Sequence, residues 1–75
     1  MEETVLELIK TITRQNAVTK DTALIEEGIL DSMAIASLIS ELSLEFSVSI
    51  PYEEIKEENF NSVDAIVAMI NRLGN

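Results

Sequence analysis

The 75-residue chain contains no cysteine, no histidine and no tryptophan, and only two glycines, one proline and five basic residues. Each shortage removes a class of chemistry. Without cysteine there is no disulfide framework and no zinc site built on thiolates, an absence that fits a reducing, cytoplasmic setting. Without histidine or cysteine, the nucleophile–base pairs common in hydrolases are missing. Gly28 and Gly74 cannot together form a glycine-rich phosphate loop, and no D-x-[DN]-x-[DN]-G calcium loop occurs. No basic segment precedes an apolar run at the start, which speaks against a secretory signal, and the apolar stretches are too short to span a bilayer. Fourteen acids against five bases give a net charge of −9. That balance argues against nucleic acid or anionic membranes as partners and favours basic protein surfaces. The neighbouring acids Glu26-Glu27 and Glu53-Glu54 read as solvated surface rather than acid/base pairs, so a stand-alone enzyme is not expected.

What remains is an acidic chain with helical periodicity, short enough for one domain spanning residues 1–75. At this length folding buries only about 60% of the surface of the unfolded chain, so self-repulsion matters, and added salt or divalent cation is expected to raise the melting temperature. Val5, Leu8, Ile9 and Ile12 form one apolar stripe, predicting a first helix over residues 2–16. A loop over residues 17–31 follows, long for a helix–helix connection, with Leu24, Ile25, Ile29 and Leu30 as its anchors and Gly28 at a positive φ. Asp31 caps a second helix over residues 32–46, whose apolar stripe is Ile35, Leu38, Ile39, Leu42 and Phe46, with Met33 and Ala36 beside it. Residues 47–50 form a connector. Pro51 is placed at the first position of a short third helix that breaks at residues 59–61. Ser62 caps a fourth helix to Leu73, carrying Val63, Ile66, Val67 and Ile70, and Gly74 ends it. The expected fold is all-α: a small four-helix bundle of three longer helices and a short third one, with a long loop between helices one and two.

Ser32 is the residue with chemical promise. A serine after an aspartate at a helix start is most often only a cap. Here Asp31 can do the capping, which frees the Ser32 hydroxyl. Gly28, Ile29 and Leu30 supply an anchored turn before it, and a phosphate ester on Ser32 would sit at the positive end of the helix dipole.

Gly28, Leu30, Asp31, Ser32 and Met33, followed by Leu42, Phe46, Ile50-Pro51, Phe60 and the segment from Val63 to Val67, resemble the acyl carrier protein family over the whole chain. The resemblance implies 4′-phosphopantetheine attached covalently to Ser32 by a phosphopantetheinyl transferase. The arm's thiol then holds an acyl or aminoacyl group as a thioester for partner enzymes, and the carrier takes no part in the chemistry. Loading partners would be adenylating or acyltransferase enzymes, in fatty-acid or secondary-metabolite synthesis, with the carrier a monomer. Fatty-acid carriers usually bear several acids along the second helix, whereas here only Glu41 and Glu45 are acidic, Ala34, Ser37 and Ser43 stand where acids are expected, and Leu44 faces solvent. That pattern, with Ser40-Glu41-Leu42 and the segment from Glu57 to Ser62, is more similar to free-standing D-alanyl carriers and peptide-synthetase carrier domains. The positions that match partner contacts are Asp31, Met33, Ala34, Ile35, Ser37 and Glu41. Ile35, Ile39, Ile55 and Phe60 fit either a slot for an acyl chain or ordinary core, with core the favoured reading. Two rivals stay open on sequence: a cofactor-free docking module, and a purely structural acidic bundle.

Overall fold

A computed structural model describes residues 1–74. Its elements, in chain order, are α1 (Glu2–Thr13), α2 (Ser32–Phe46), a 3₁₀ turn (Tyr52–Glu54), α3 (Glu57–Phe60) and α4 (Val63–Leu73), with no strand among the described residues. The all-α bundle with a short third helix and a long first loop is the expected architecture.

α1 buries Val5 and Ile9 and packs against α2 and α4, while α3 lies on α4. The helix stops at Thr13, three residues before the expected end. Beyond Ile12 the apolar stripe has no further member to bury. The Thr13 hydroxyl donates to the Ile9 carbonyl at 2.7 Å, competing with the helix ladder. Arg14 then turns left-handed at φ 59° and donates its N–H to the Lys10 carbonyl.

α2 has the expected limits. The Asp31 carboxylate accepts from the Ala34 N–H at 2.8 Å, and Leu38 and Leu42 are fully buried. Met33 does not lie beside the buried stripe; it is 82% exposed, and Ala36 is exposed as well. Leu44, at 81% exposure, faces solvent as expected. The helix ends where Ser47 adopts φ 53°.

The third helix departs from expectation. Pro51 is extended and precedes a three-residue 3₁₀ turn rather than opening an α-helix, and α3 begins only at Glu57. Asn59 therefore lies within α3 instead of breaking it. The physical reason is a pair of side-chain bonds back to the preceding turn: the Asn59 amide is buried and donates to the Glu54 carbonyl at 2.8 Å and to the Glu54 carboxylate at 3.0 Å. Arg72 of α4 holds the same carboxylate. α4 starts at its Ser62 cap, whose hydroxyl accepts from the Ala65 N–H at 3.1 Å. It ends at Gly74, which stays right-handed and donates to the Ile70 carbonyl.

Phe60, Val63, Ile66 and Met69 close the core from the α3–α4 side with no exposed surface. Burial of each such side chain contributes roughly 1.5–3 kcal/mol, so a few contacts decide whether a domain of this size folds.

Candidate functional site

The site is built from the loop upward. Within it, residues 24–27 make one helical turn that ends at Gly28. The Gly28 N–H donates to the Ile25 carbonyl at 3.0 Å and the Ile29 N–H to the Leu24 carbonyl at 2.9 Å, the paired bonds of a Schellman ending. That motif needs a left-handed residue at its corner, and Gly28 supplies it at φ 74°. Leu24 and Leu30 are buried and Ile25 and Ile29 half-buried, so all four expected anchors bear on the bundle. The Leu30 N–H also reaches the Leu24 carbonyl, at 3.0 Å. Asp31 then extends, and Ser32 begins α2.

Ser32 is exposed, and its hydroxyl has no hydrogen-bond partner among the described residues. The Asp31 side chain takes the Ala34 N–H and the Asp31 carbonyl takes the Ile35 N–H at 2.9 Å. The N–H groups of Ser32 and Met33 are left as the open donors of the helix end. No acidic side chain stands in the first turn of α2. An exposed hydroxyl at a helix N-terminus with open N–H donors fits a phosphodiester on Ser32. A cleft of about 330 Å³ lies beside it, between the end of α1 and the start of α2, with Ile12, Ile29, Met33, Ala34 and Ser37 among its walls.

A family model described as PP-binding, phosphopantetheine attachment site, matches residues 3–70. This chain belongs to the phosphopantetheine-dependent carrier proteins. The carrier is 38% identical over 72 residues to the D-alanyl carrier protein of Lactococcus lactis subsp. cremoris, covering 93% of this chain and 91% of that one. It is 35% identical over 79 residues to aminoacyl carrier protein 2 of Bradyrhizobium diazoefficiens, covering 99% and 88%. Among solved structures, a chain in the glycine:[carrier protein] ligase of Bradyrhizobium japonicum complexed with glycylated carrier protein superposes with TM-score 0.69 at 36% identity. That match covers 91% of this chain and 96% of the other. A chain in a crystal structure of an FAD-dependent dehydrogenase superposes with TM-score 0.81 at 33% identity, covering 89% and 99%.

Around Ser32 the carrier has Asp31, Met33 and Ser37 exposed, with Ala34, Ile35 and Glu41 half-buried. These residues run from the N-cap through the first two-thirds of α2. The four residues weighed as an acyl slot line neither the cleft beside Ser32 nor a second one, of about 320 Å³, along the loop. Phe60 is fully buried, Ile35 and Ile39 pack on the core edge, and Ile55 is 39% exposed. Sequence reasoning missed Asn61. Its side chain and carbonyl take three successive N–H groups of the loop, a role that leaves no local pattern in the chain. No helix among the described residues is long and apolar enough to cross a membrane.

Proposed function

We propose that Ser32 is the attachment point of 4′-phosphopantetheine, and that the carrier holds a small aminoacyl or acyl group loaded by an adenylating ligase. The observation that carries this is the division of labour at the start of α2: Asp31 caps the helix, and the neighbouring hydroxyl is exposed and unbonded. When attached, the group supplies the thiol that holds the cargo as a thioester. The chain's own contribution is presentation. The Gly28 turn and the buried Leu24 and Leu30 fix the serine, the helix end favours the phosphate charge, and a phosphopantetheinyl transferase provides the base that this histidine-free chain lacks.

Small aminoacyl cargo is supported by the relatives, which include D-alanyl and aminoacyl carriers and a glycylated carrier bound to its ligase. α2 supports it from a second side. Ala34, Ser37 and Ser43 stand where acids are expected and Leu44 faces solvent. A docking enzyme therefore meets Met33, Ala34 and Ile35 through apolar contact, with Ser37 beside them and Asp31 and Glu41 as the charges at either end. The protein works as a monomeric, cytoplasmic single domain that serves loading and acyl-using enzymes without catalysing their reactions.

Incubation with coenzyme A and a broad-specificity phosphopantetheinyl transferase is the test, read by intact-protein mass. The expected result is a gain of one phosphopantetheinyl group that Ser32→Ala abolishes. A folded wild-type protein that gains nothing supports the cofactor-free docking module instead. Subsequent incubation with an adenylating ligase, ATP and glycine or D-alanine is expected to add one aminoacyl group to the modified form.

A further inference from the structure

We infer that Asn61 is a positioning residue for Ser32, fixing from across the bundle the loop that presents the serine to its modifying enzyme. The inference rests on the reading of Ser32 as the attachment point.

Asn61 ends α3, two residues before α4 begins. Its Oδ1 accepts from the Ile25 N–H at 2.9 Å and the Glu26 N–H at 3.3 Å. Its Nδ2 donates to the Glu26 carboxylate at 3.1 Å. Its backbone carbonyl accepts from the Leu24 N–H at 2.8 Å. Those three N–H groups are the opening donors of the helical turn at residues 24–27, which have no partner within the turn itself. Asn61 caps that turn from a position 35 to 36 residues away along the chain.

The capped turn then sets the serine. The Leu24 carbonyl receives the N–H groups of both Ile29 and Leu30. Leu30 is buried immediately before Asp31, and Asp31 caps the helix that Ser32 begins. A continuous line of hydrogen bonds and one buried side chain therefore runs from Asn61 to Ser32. The chemistry asks for an amide: an acceptor toward two N–H groups and a donor toward a carboxylate on the same short side chain. Aspartate keeps the acceptor but sets a second negative charge against Glu26, and alanine supplies neither function.

Loss of the side-chain bonds lets the loop leave its bound conformation, so an enzyme that recognises the ordered loop finds a smaller competent fraction. Apparent affinity falls by that fraction, while the step after docking is unchanged. Asn61→Ala is therefore expected to raise the KM for the carrier in the transferase reaction by about tenfold, with kcat held within about twofold. Amide exchange is expected to accelerate at Ile25, Glu26, Ile29 and Leu30 and not at the buried middle of α2. Asn61→Asp is expected to raise KM similarly, and Glu26→Gln added to it restores the donor–acceptor pair with polarity reversed and brings KM back.

Asn59→Ala is the control for stability alone, because Asn59 ties α3 to Glu54 and makes no bond to the loop. It is expected to lower the melting temperature and leave KM unchanged once the folded fraction, read by circular dichroism at assay temperature, is accounted for. If Asn61→Ala is unfolded at that temperature, Asn61→Asp with and without Glu26→Gln carries the same comparison. Folded Asn61 variants with wild-type KM, or with unchanged exchange at Ile29 and Leu30, overturn the inference. So does a KM rise that Asn59→Ala reproduces at equal folded fraction. A wild-type protein that is never modified sinks the reading of Ser32, whereas the exchange measurement still decides whether Asn61 orders the loop.

Discussion

At Gly28 the cost of a side chain can be separated from the cost of crowding. A Cβ added there meets no atom within 4 Å, while the backbone sits at φ 74°. Gly28→Ala is therefore expected to destabilise by about 1 kcal/mol through backbone strain alone, a drop of roughly 4–8 °C in melting temperature for a domain of this size. A thermal melt checks it, and an unchanged midpoint would remove the left-handed corner from the account. Asp31 and Ser32 make the second residue-scale comparison. Asp31→Ala strips the cap from Ala34 and is expected to cost about 1 kcal/mol by denaturant titration. Ser32→Ala removes an unbonded, exposed hydroxyl and is expected to change stability by less than about 0.5 kcal/mol. Equal losses at the two positions would make Ser32 a cap as well and weaken its assignment as a free nucleophile.

Helix ends show which parts of the architecture local sequence can announce. α2 was legible at both limits because Asp31 caps through its own side chain and the stripe from Ile35 to Phe46 is unbroken. Ser62 announced α4 in the same way. The end of α1 was not legible, because Arg14 adopts φ 59° without the glycine or asparagine that usually marks such a turn. α3 was misplaced for another reason: an asparagine pair read locally as breakers serves bonds outside the helix, Asn59 back to Glu54 five residues earlier and Asn61 to the distant first loop. The serine's immediate frame was readable from Gly28 to Met33, whereas the support behind it, Asn61 bonded to Glu26, 35 residues earlier in the chain, was not. One helix end also offers a gain. Ser47 holds φ 53° with an exposed side chain, so Ser47→Gly is expected to relieve left-handed strain and stabilise by about 0.5–1 kcal/mol. A melting temperature that stays level or falls would show that the greater freedom of glycine in the unfolded chain outweighs the relief.

For the molecule as a whole, charge decides the response to salt. A net charge of −9 is spread over a body of about 31 × 22 × 19 Å, so most like charges lie within two Debye lengths at low ionic strength. Opposing this are the ion pairs Lys10–Glu7, Lys56–Glu58 and Arg72–Glu54. The first two are at 3.9 Å with exposed carboxylates, the range in which such pairs contribute about 0–1 kcal/mol each. Salt weakens both the repulsion and these attractions, and the repulsion dominates because the pairs engage only three of the fourteen acids. Raising sodium chloride from about 0.02 M to about 0.5 M shrinks the Debye length from roughly 20 Å to roughly 4 Å. It is expected to lift the melting temperature by several degrees, the equivalent of about 1 kcal/mol. Lys56→Gln gives an internal check, since it removes a weak pair and adds one unit to the imbalance. Its melting temperature is expected to fall at low salt and to approach that of the parent at high salt. A salt titration that is flat or downward in the parent would mean that the ion pairs, Arg72–Glu54 foremost, outweigh the acidic surface in holding the bundle together.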